Sequence, residues 1–340
     1  MPITLILTTA VNAIAPVVLL ILLGYLLKRS GFFSQSFVKT GNKLVFNVCL
    51  PAMLFITVYD IEGFSVINWE FAGYCVVMLL VIFALGFFTA VLTTKEPQRR
   101  GVIWQCVFRS NFAIIGLSLA GALGGPEAVA VAAIVSSFTV PLFNILAVIA
   151  LSAFVENSDR KQDVLRILKN IAKNPLIISV VLGLVCVGIR EAQIALWGAP
   201  VFTLKQQGKL LYTTVNNLKA IASPFALLVL GGQFEFSAVR GMLKEIVVST
   251  LWRIVFSPLL GIGCAVLLSG IGMLSCGVNE YPALVAMFGS PVAVSSAVMA
   301  GSMGGDEQLA TQLVVWTSVF SIVTIFAEVC LLMGAGLLAV

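Results

Sequence analysis

FRSNFAIIGLSLAGALGGPE (108–127) lies over FGSPVAVSSAVMAGSMGGDE (288–307) with a constant offset of 180 and no gap. Phe108/Phe288, Ser110/Ser290, Ala113/Ala293, Ala120/Ala300, Gly121/Gly301, Gly124/Gly304, Gly125/Gly305 and Glu127/Glu307 coincide, 8 identities in 20 positions. Each stretch is an apolar helix interrupted by residues that do not belong in one: Arg109 and Asn111 in the first, Pro291 and the Ser295-Ser296 pair in the second. A backbone break at membrane depth is tolerated only where protein or a watery cavity satisfies the freed groups. The pair therefore predicts an internal duplication with one broken helix in each copy.

The rest of the chain sets the environment of that duplication. With 60% hydrophobic and 10% charged residues and a mean hydropathy of +1.08, the 340 residues far exceed the apolar content of a soluble domain. The reading is an all-α integral membrane protein in contact with a lipid bilayer. The 29 glycines suit helices packed closely in lipid. Seven cysteines without paired spacing argue against a metal site or a disulfide framework, and the absence of histidine argues against imidazole chemistry. The same absences argue against an intramembrane protease and against enzymes generally, and the net charge of +5 needs no nucleic acid to explain it. No basic residue precedes the first apolar stretch, whereas Lys28 and Arg29 follow it, which predicts a retained first helix with its N-terminus outside.

Hydropathy predicts ten spans, at about 11–27, 42–58, 72–93, 101–122, 128–153, 175–190, 216–233, 246–270, 282–303 and 309–336. The odd-numbered connections carry 13 Lys and Arg, five of them in the central linker, and the even-numbered ones only Arg190, Lys205 and Lys209. That asymmetry places the odd connections in the cytoplasm and both termini outside. Division at the linker gives two halves of five spans, and an odd number forces the second half to run upside down. Pro51 and Pro224 interrupt spans two and seven at similar places and support the repeat.

Asn111 lies about 15 Å into span four and Pro291 about 14 Å into span nine, both in the middle of a roughly 30 Å core. The two breaks are expected to meet there, with half-helix N-termini directed at an anion, as in secondary carriers with inverted repeats. Arg109 adds a full positive charge where an unpaired one is expensive. The candidate substrate-binding residues are Asn111, Arg109, Ser110, Ser290, Pro291, Ser295 and Asn144. Gly116, Ser118, Pro51 and Pro224 are the candidate crossover and kink positions. Glu328 is the one carboxylate well inside an apolar run and the candidate for carrying a coupled proton, with a position at the outer end of span ten as the alternative. Glu127 and Glu307, near the starts of spans five and ten, read as helix-capping carboxylates. Arg253, deep in span eight, is open to either a structural or a functional reading.

Six segments in order resemble the auxin efflux carrier family of organic-acid permeases and plant auxin carriers: AIAPVVLLILLGYLLKRSGFF, FNVCLPAMLF, FRSNFAIIGL, KNPLIISVVLGLV, SPFALLVLGGQF and SPVAVSSAVMAGSMGGDEQLA. The resemblance implies a bile-acid-symporter-like fold of ten helices in two inverted five-helix repeats, with helices four and nine broken and crossing. It implies a dimerising scaffold (1–58, spans one and two; 175–235, spans six and seven), a cytoplasmic linker (154–174) and a transport domain (72–153 and 246–340). The function implied is elevator-type, secondary-active or facilitative permeation of small organic anions, mono- or dicarboxylates, through the cytoplasmic membrane, by a homodimer with no cofactor. The family usually has a proline after Gly-Leu in span four, where this chain has Ser118. Two other readings stay open: a sodium-coupled bile-acid-type symporter, disfavoured by the lack of an acidic residue near the crossing, and a membrane sensor of small acids.

Overall fold

The computed structural model describes residues 3–60, 68–154, 173 and 175–338; most of the expected linker 154–174 lies outside them. Among the described residues there is no strand, and seven helices are long and apolar enough to cross a membrane. In chain order the elements are α1 (Ile3–Arg29), α2 (Gln35–Tyr59), α3 (Trp69–Thr93), α4 (Pro97–Phe108), α5 (Leu117–Ser152), α6 (Pro175–Trp197), α7 (Lys209–Gln233), α8 (Val239–Gly270), α9 (Glu280–Leu284), α10 (Ser295–Ser302) and α11 (Glu307–Gly334). The expected first, fourth and ninth spans are not among those seven; the first is the helix α1, and the fourth and ninth are each interrupted. Span four is α4, a gap and the first arm of α5; span nine is α9, a gap and α10. The expected sixth and seventh spans prove longer at their polar ends, reaching Trp197 and starting at Lys209.

Proline shapes these helices through a single steric effect. It lacks an N–H and its ring collides with the carbonyl four residues back, and one extra residue in the preceding turn relieves the clash as a π-turn. Three π-turns each end two residues before a proline: Val45–Cys49 before Pro51, Trp252–Phe256 before Pro258 and Val285–Gly289 before Pro291. A fourth, Phe112–Gly116, ends two residues before Ser118. Ser118 thus stands where the other three π-turns have their proline, and the π-turn forms without one; the side chain of Ser118 lies outside the described residues. Pro224 sits inside α7 with no π-turn, so of the two expected scaffold kinks only Pro51 distorts its helix in this way.

Glycine ends both second half-helices. Gly125 has φ 67° and bends α5, and Gly304, with φ 79°, follows α10. Both are left-handed conformations that strongly favour glycine at a helix end. The cap of α11 is Asp306, whose Oδ1 accepts from Leu309 N at 2.9 Å, rather than Glu307. Glu307 instead reaches sideways, accepting from Asn42 Nδ2 of α2 at 3.0 Å and Gln233 Nε2 of α7 at 2.6 Å. Glu127 accepts from Asn279 Nδ2 at 2.9 Å.

α1 packs mainly along α7 and α2 along α6 and α7, whereas α3, α4, α5 and α8–α11 pack largely with one another. The α1–α7 contact is backbone to backbone. A Cβ on Gly231 would lie 2.0 Å from Ile21 O, and one on Gly24 would lie 2.1 Å from Leu228 O. Neither main chain can yield without shifting a whole helix. We expect Gly231→Ala to cost about 1–3 kcal/mol or more, read as a lower melting temperature in detergent; an unchanged melting temperature would refute this close packing.

Candidate functional site

The two breaks meet. Asn111 N–H donates to the carbonyl of Pro291 at 2.8 Å, and Ala293 N–H donates to the carbonyl of Arg109 at 3.3 Å. Ser110 and Val292 form an isolated antiparallel bridge between these bonds. The freed backbone groups of each helix are therefore satisfied by the other, which is how extended chain survives at membrane depth. Arg109 (φ −88°, ψ 108°) and Asn111 (φ −81°, ψ 45°) carry the first break, and Ser290 (φ −64°, ψ 147°) opens the second. The copies are not identical: the first break is three residues long and is followed by its π-turn, the second is five and is preceded by it. Gly116 lets the crossing close, since a Cβ there would meet the carbonyl of Ala286 at 2.7 Å.

Five of the candidate binding residues come together around one cavity of about 40 Å³: Arg109, Ser110, Asn111, Asn144 and Ser295. The wall is completed by Leu50 and Met53 of α2, Val140 and Phe143 of α5, Ala222 and Ala226 of α7, and Ala113, Ala293 and Val294 beside the breaks. At about 10–15 Å³ per water this volume holds about three waters or one carboxylate group. The half-helices starting at Phe112 and Ser295 bring their partly positive N-terminal ends to it.

Ser290 and Pro291 do not line this cavity. Ser290 is fully buried, and its Oγ donates to Ala286 O at 2.6 Å. The extended backbone at Ser290 turns it away from the cavity side, so the repeat register that pairs it with Ser110 does not carry over to side-chain direction. Pro51 and Pro224 also stand off the wall, which takes their neighbours Leu50, Met53, Ala222 and Ala226.

Arg109 is 2% exposed. Its guanidinium donates to Gln105 Oε1 at 3.2 Å, Asn144 Oδ1 at 2.6 Å and Ser295 Oγ at 2.8 Å, and also contacts Met299 Sδ. Every acceptor is neutral, and among the described residues no carboxylate is paired with it. The positive charge is held in place but not neutralised. Beside it, Asn111 Nδ2 and Ser110 Oγ are buried with no hydrogen-bond partner. A buried unpaired donor costs about 1–3 kcal/mol and calls for an explanation. The cavity thus presents one full charge, two helix ends and two idle polar groups, which together can bind a small anion.

Arg253, which sequence reasoning left undecided, is 1% exposed and lies behind the crossing. It donates to the carbonyls of Ser290 (3.1 Å), Met287 (3.4 Å) and Phe288 at the end of the first half of span nine, and to Val107 O (3.4 Å) at the end of α4. Both half-helix C-termini, with their negative ends and orphan carbonyls, converge on one guanidinium. Arg109 and Arg253 therefore flank the crossing with opposite duties. The former faces the cavity and the latter closes the helix ends.

An interrupted helix pair crossing inside a bundle of membrane-spanning helices, beside a small cavity with polar groups at the crossing and apolar walls, is the architecture of a membrane transporter. The match to the family model described as "Membrane transport protein" runs over residues 9–327, and the chain belongs to that family, which is of the auxin efflux carrier type. It is also similar to a protein named "Uncharacterized transporter" from Methanothermobacter thermautotrophicus, at 22% identity over 323 residues covering 92% of this chain and 95% of that one. The protein is an integral membrane protein of a transporter family.

Proposed function

We propose that the chain carries small organic anions, mono- or dicarboxylates, binding one carboxylate in the cavity at the crossing. The observation that carries this reading is Arg109: a fully buried guanidinium with only neutral partners, next to the unpaired Asn111 Nδ2 and Ser110 Oγ. An uncompensated buried charge is costly, and a bound anion is what would offset it. The room for about one carboxylate, within otherwise apolar walls, favours an organic acid over a bulky anion.

The reading extends to movement. The cavity wall draws on α2 and α7 from one packing group and on α5 and the two breaks from the other. Sliding of the second group (72–153 and 246–340) against the first (1–58 and 175–235) would carry the site across the membrane, as an elevator in a protein with ten spans in two inverted halves, both termini outside and the scaffold dimerised. The polar contacts that such sliding must break are those of Glu307, with Gln308 Nε2 to Gln233 O at 3.1 Å and Gln312 Nε2 to Glu235 O at 2.7 Å. An opening of about 460 Å³ lies at the same seam, lined by Lys39, Asn42, Lys43, Phe46 and Asn47, by Gly301 and Ser302 at the end of α10, and by Glu307.

A thermal-shift screen of the purified protein against carboxylic acids tests the reading, because a ligand that binds only the folded state raises its melting temperature. In a positive case, Asn111→Ala should weaken binding by about 1.5–3 kcal/mol, the worth of a hydrogen bond to a charged group, while the protein remains folded. Wild-type affinity in that variant would remove Asn111 from the site.

A further inference from the structure

We propose that Glu328 is a proton-binding site coupled to anion occupancy of the crossing, so that a proton and an organic anion bind cooperatively. The proposal rests on the anion site above and names the coupling ion for it.

Glu328 lies on α11, and both of its carboxyl oxygens are buried without any hydrogen-bond partner. The carboxyl is pressed against the break in span nine: a Cβ built on Gly289 would lie 2.2 Å from Glu328 Oε2. Gly289 immediately precedes Ser290 and Pro291, whose carbonyls hold Arg253 and Asn111 respectively. Among the described residues Arg253 of α8 is the charged group that faces the carboxyl, and it also faces the Cys106 thiol of α4. Gly289 of span nine, against the carboxyl, has no titratable side chain, nor do Ile254, Pro258 and Ile262 of α8, which line a groove with Glu328.

Arg253 cannot serve as a full counterion in this arrangement. Its donors are committed to the carbonyls of Ser290, Met287, Phe288 and Val107, and no Arg253–Glu328 ion pair forms. A carboxylate with no donor and no contact ion pair is poorly accommodated in a buried setting, whereas a neutral carboxyl is tolerated. An apolar groove of about 660 Å³ borders Glu328 and runs past Leu331 to Ala335 and Leu337 beyond the end of α11.

The chemistry is a protonation. A proton leaves water and adds to one Glu328 oxygen, giving a neutral carboxyl. Its effect on the anion site is electrostatic. Neutralising Glu328 removes the negative charge nearest Arg253, so the crossing becomes more positive. An anion beside Arg109 then binds more tightly, and by reciprocity the bound anion raises proton affinity at Glu328.

The test uses the purified full chain and two readouts. Infrared spectra at acidic pH should show the C=O stretch of a neutral carboxylic acid that Glu328→Gln lacks; this needs no ligand. Acetate affinity, measured at pH values where acetate is fully ionised, should fall as pH rises, by about 5- to 150-fold between the two protonation states. In Glu328→Gln, which mimics the neutral carboxyl, affinity should be flat with pH at the tight-binding value. A flat wild-type profile, a Glu328→Gln profile with the wild-type slope, or identical infrared spectra would overturn the proposal. Absence of acetate binding at every pH would instead sink the anion site, with the infrared arm still deciding whether Glu328 binds a proton.

Discussion

Arg109→Met should abolish anion binding and leave the protein folded. The charge removed is the one that a ligand carboxylate would meet in the cavity, and truncating one member of a buried charge pair costs about 2–5 kcal/mol, roughly a 30- to several-thousand-fold loss of affinity. Stability should change little for a reason specific to this site. The wild-type protein bears the desolvation cost of an unpaired guanidinium, several kcal/mol, and the variant does not. Against that gain, Gln105 Oε1, Asn144 Oδ1 and Ser295 Oγ lose their donor at about 1–3 kcal/mol each. The two effects are of similar size and opposite sign. A structural arginine would give the reverse pattern, with a sharp fall in melting temperature and binding retained in the surviving folded fraction. Arg109→Lys distinguishes charge from shape. An ammonium keeps the field but cannot hold Asn144 and Ser295 with one planar fork, so partial binding is expected if the field dominates.

The meeting of the two breaks was legible because it depends on residue types with one physical meaning. Arg109, Asn111 and Pro291 are out of place in apolar helices, and counting rise per residue put them at one depth; the 2.8 Å bond from Asn111 N–H to Pro291 O is that coincidence made concrete. Side-chain direction at the breaks was not legible. Helical or strand periodicity tells which way a side chain points only while the backbone is regular, and Ser290 lies where it is not. Position also misled at Glu307. Its place at the start of span ten suggested a cap, but Asp306, one residue earlier, takes the capping position and accepts from Leu309 N, while Glu307 in the first turn joins α2 and α7.

Arg253 marks a different limit. Nothing in its sequence neighbourhood distinguishes an arginine that serves a ligand from one that serves backbone carbonyls, since its partners come from segments 34 to 146 residues away. A repeat offset could not find it either, because span three, the counterpart of span eight, contains no arginine. The signal that existed was negative: a charge deep in a span, with no acidic residue spaced to meet it on the same helix.

That role makes Arg253 a damaging position to change. Arg253→Met leaves the carbonyls of Ser290 and Phe288 without their closest donor and removes the link to Val107 on α4. At about 1–3 kcal/mol for each buried acceptor, the first two alone cost about 2–6 kcal/mol, and the loss of the positive charge facing two helix C-termini adds to it. Unlike Arg109, Arg253 is already compensated by those carbonyls, so its removal brings little relief of desolvation. The melting temperature in detergent should fall by at least several degrees, and binding should be lost because the frame of the cavity loosens. Arg253→Lys should rescue part of the stability, since an ammonium carries three donors and the same charge, but its single nitrogen cannot span Val107 and Ser290 together. If Arg253→Met melts within about one degree of wild type, the crossing does not depend on this arginine, and the half-helix ends must be held by their mutual hydrogen bonds at Asn111 and Ala293 alone.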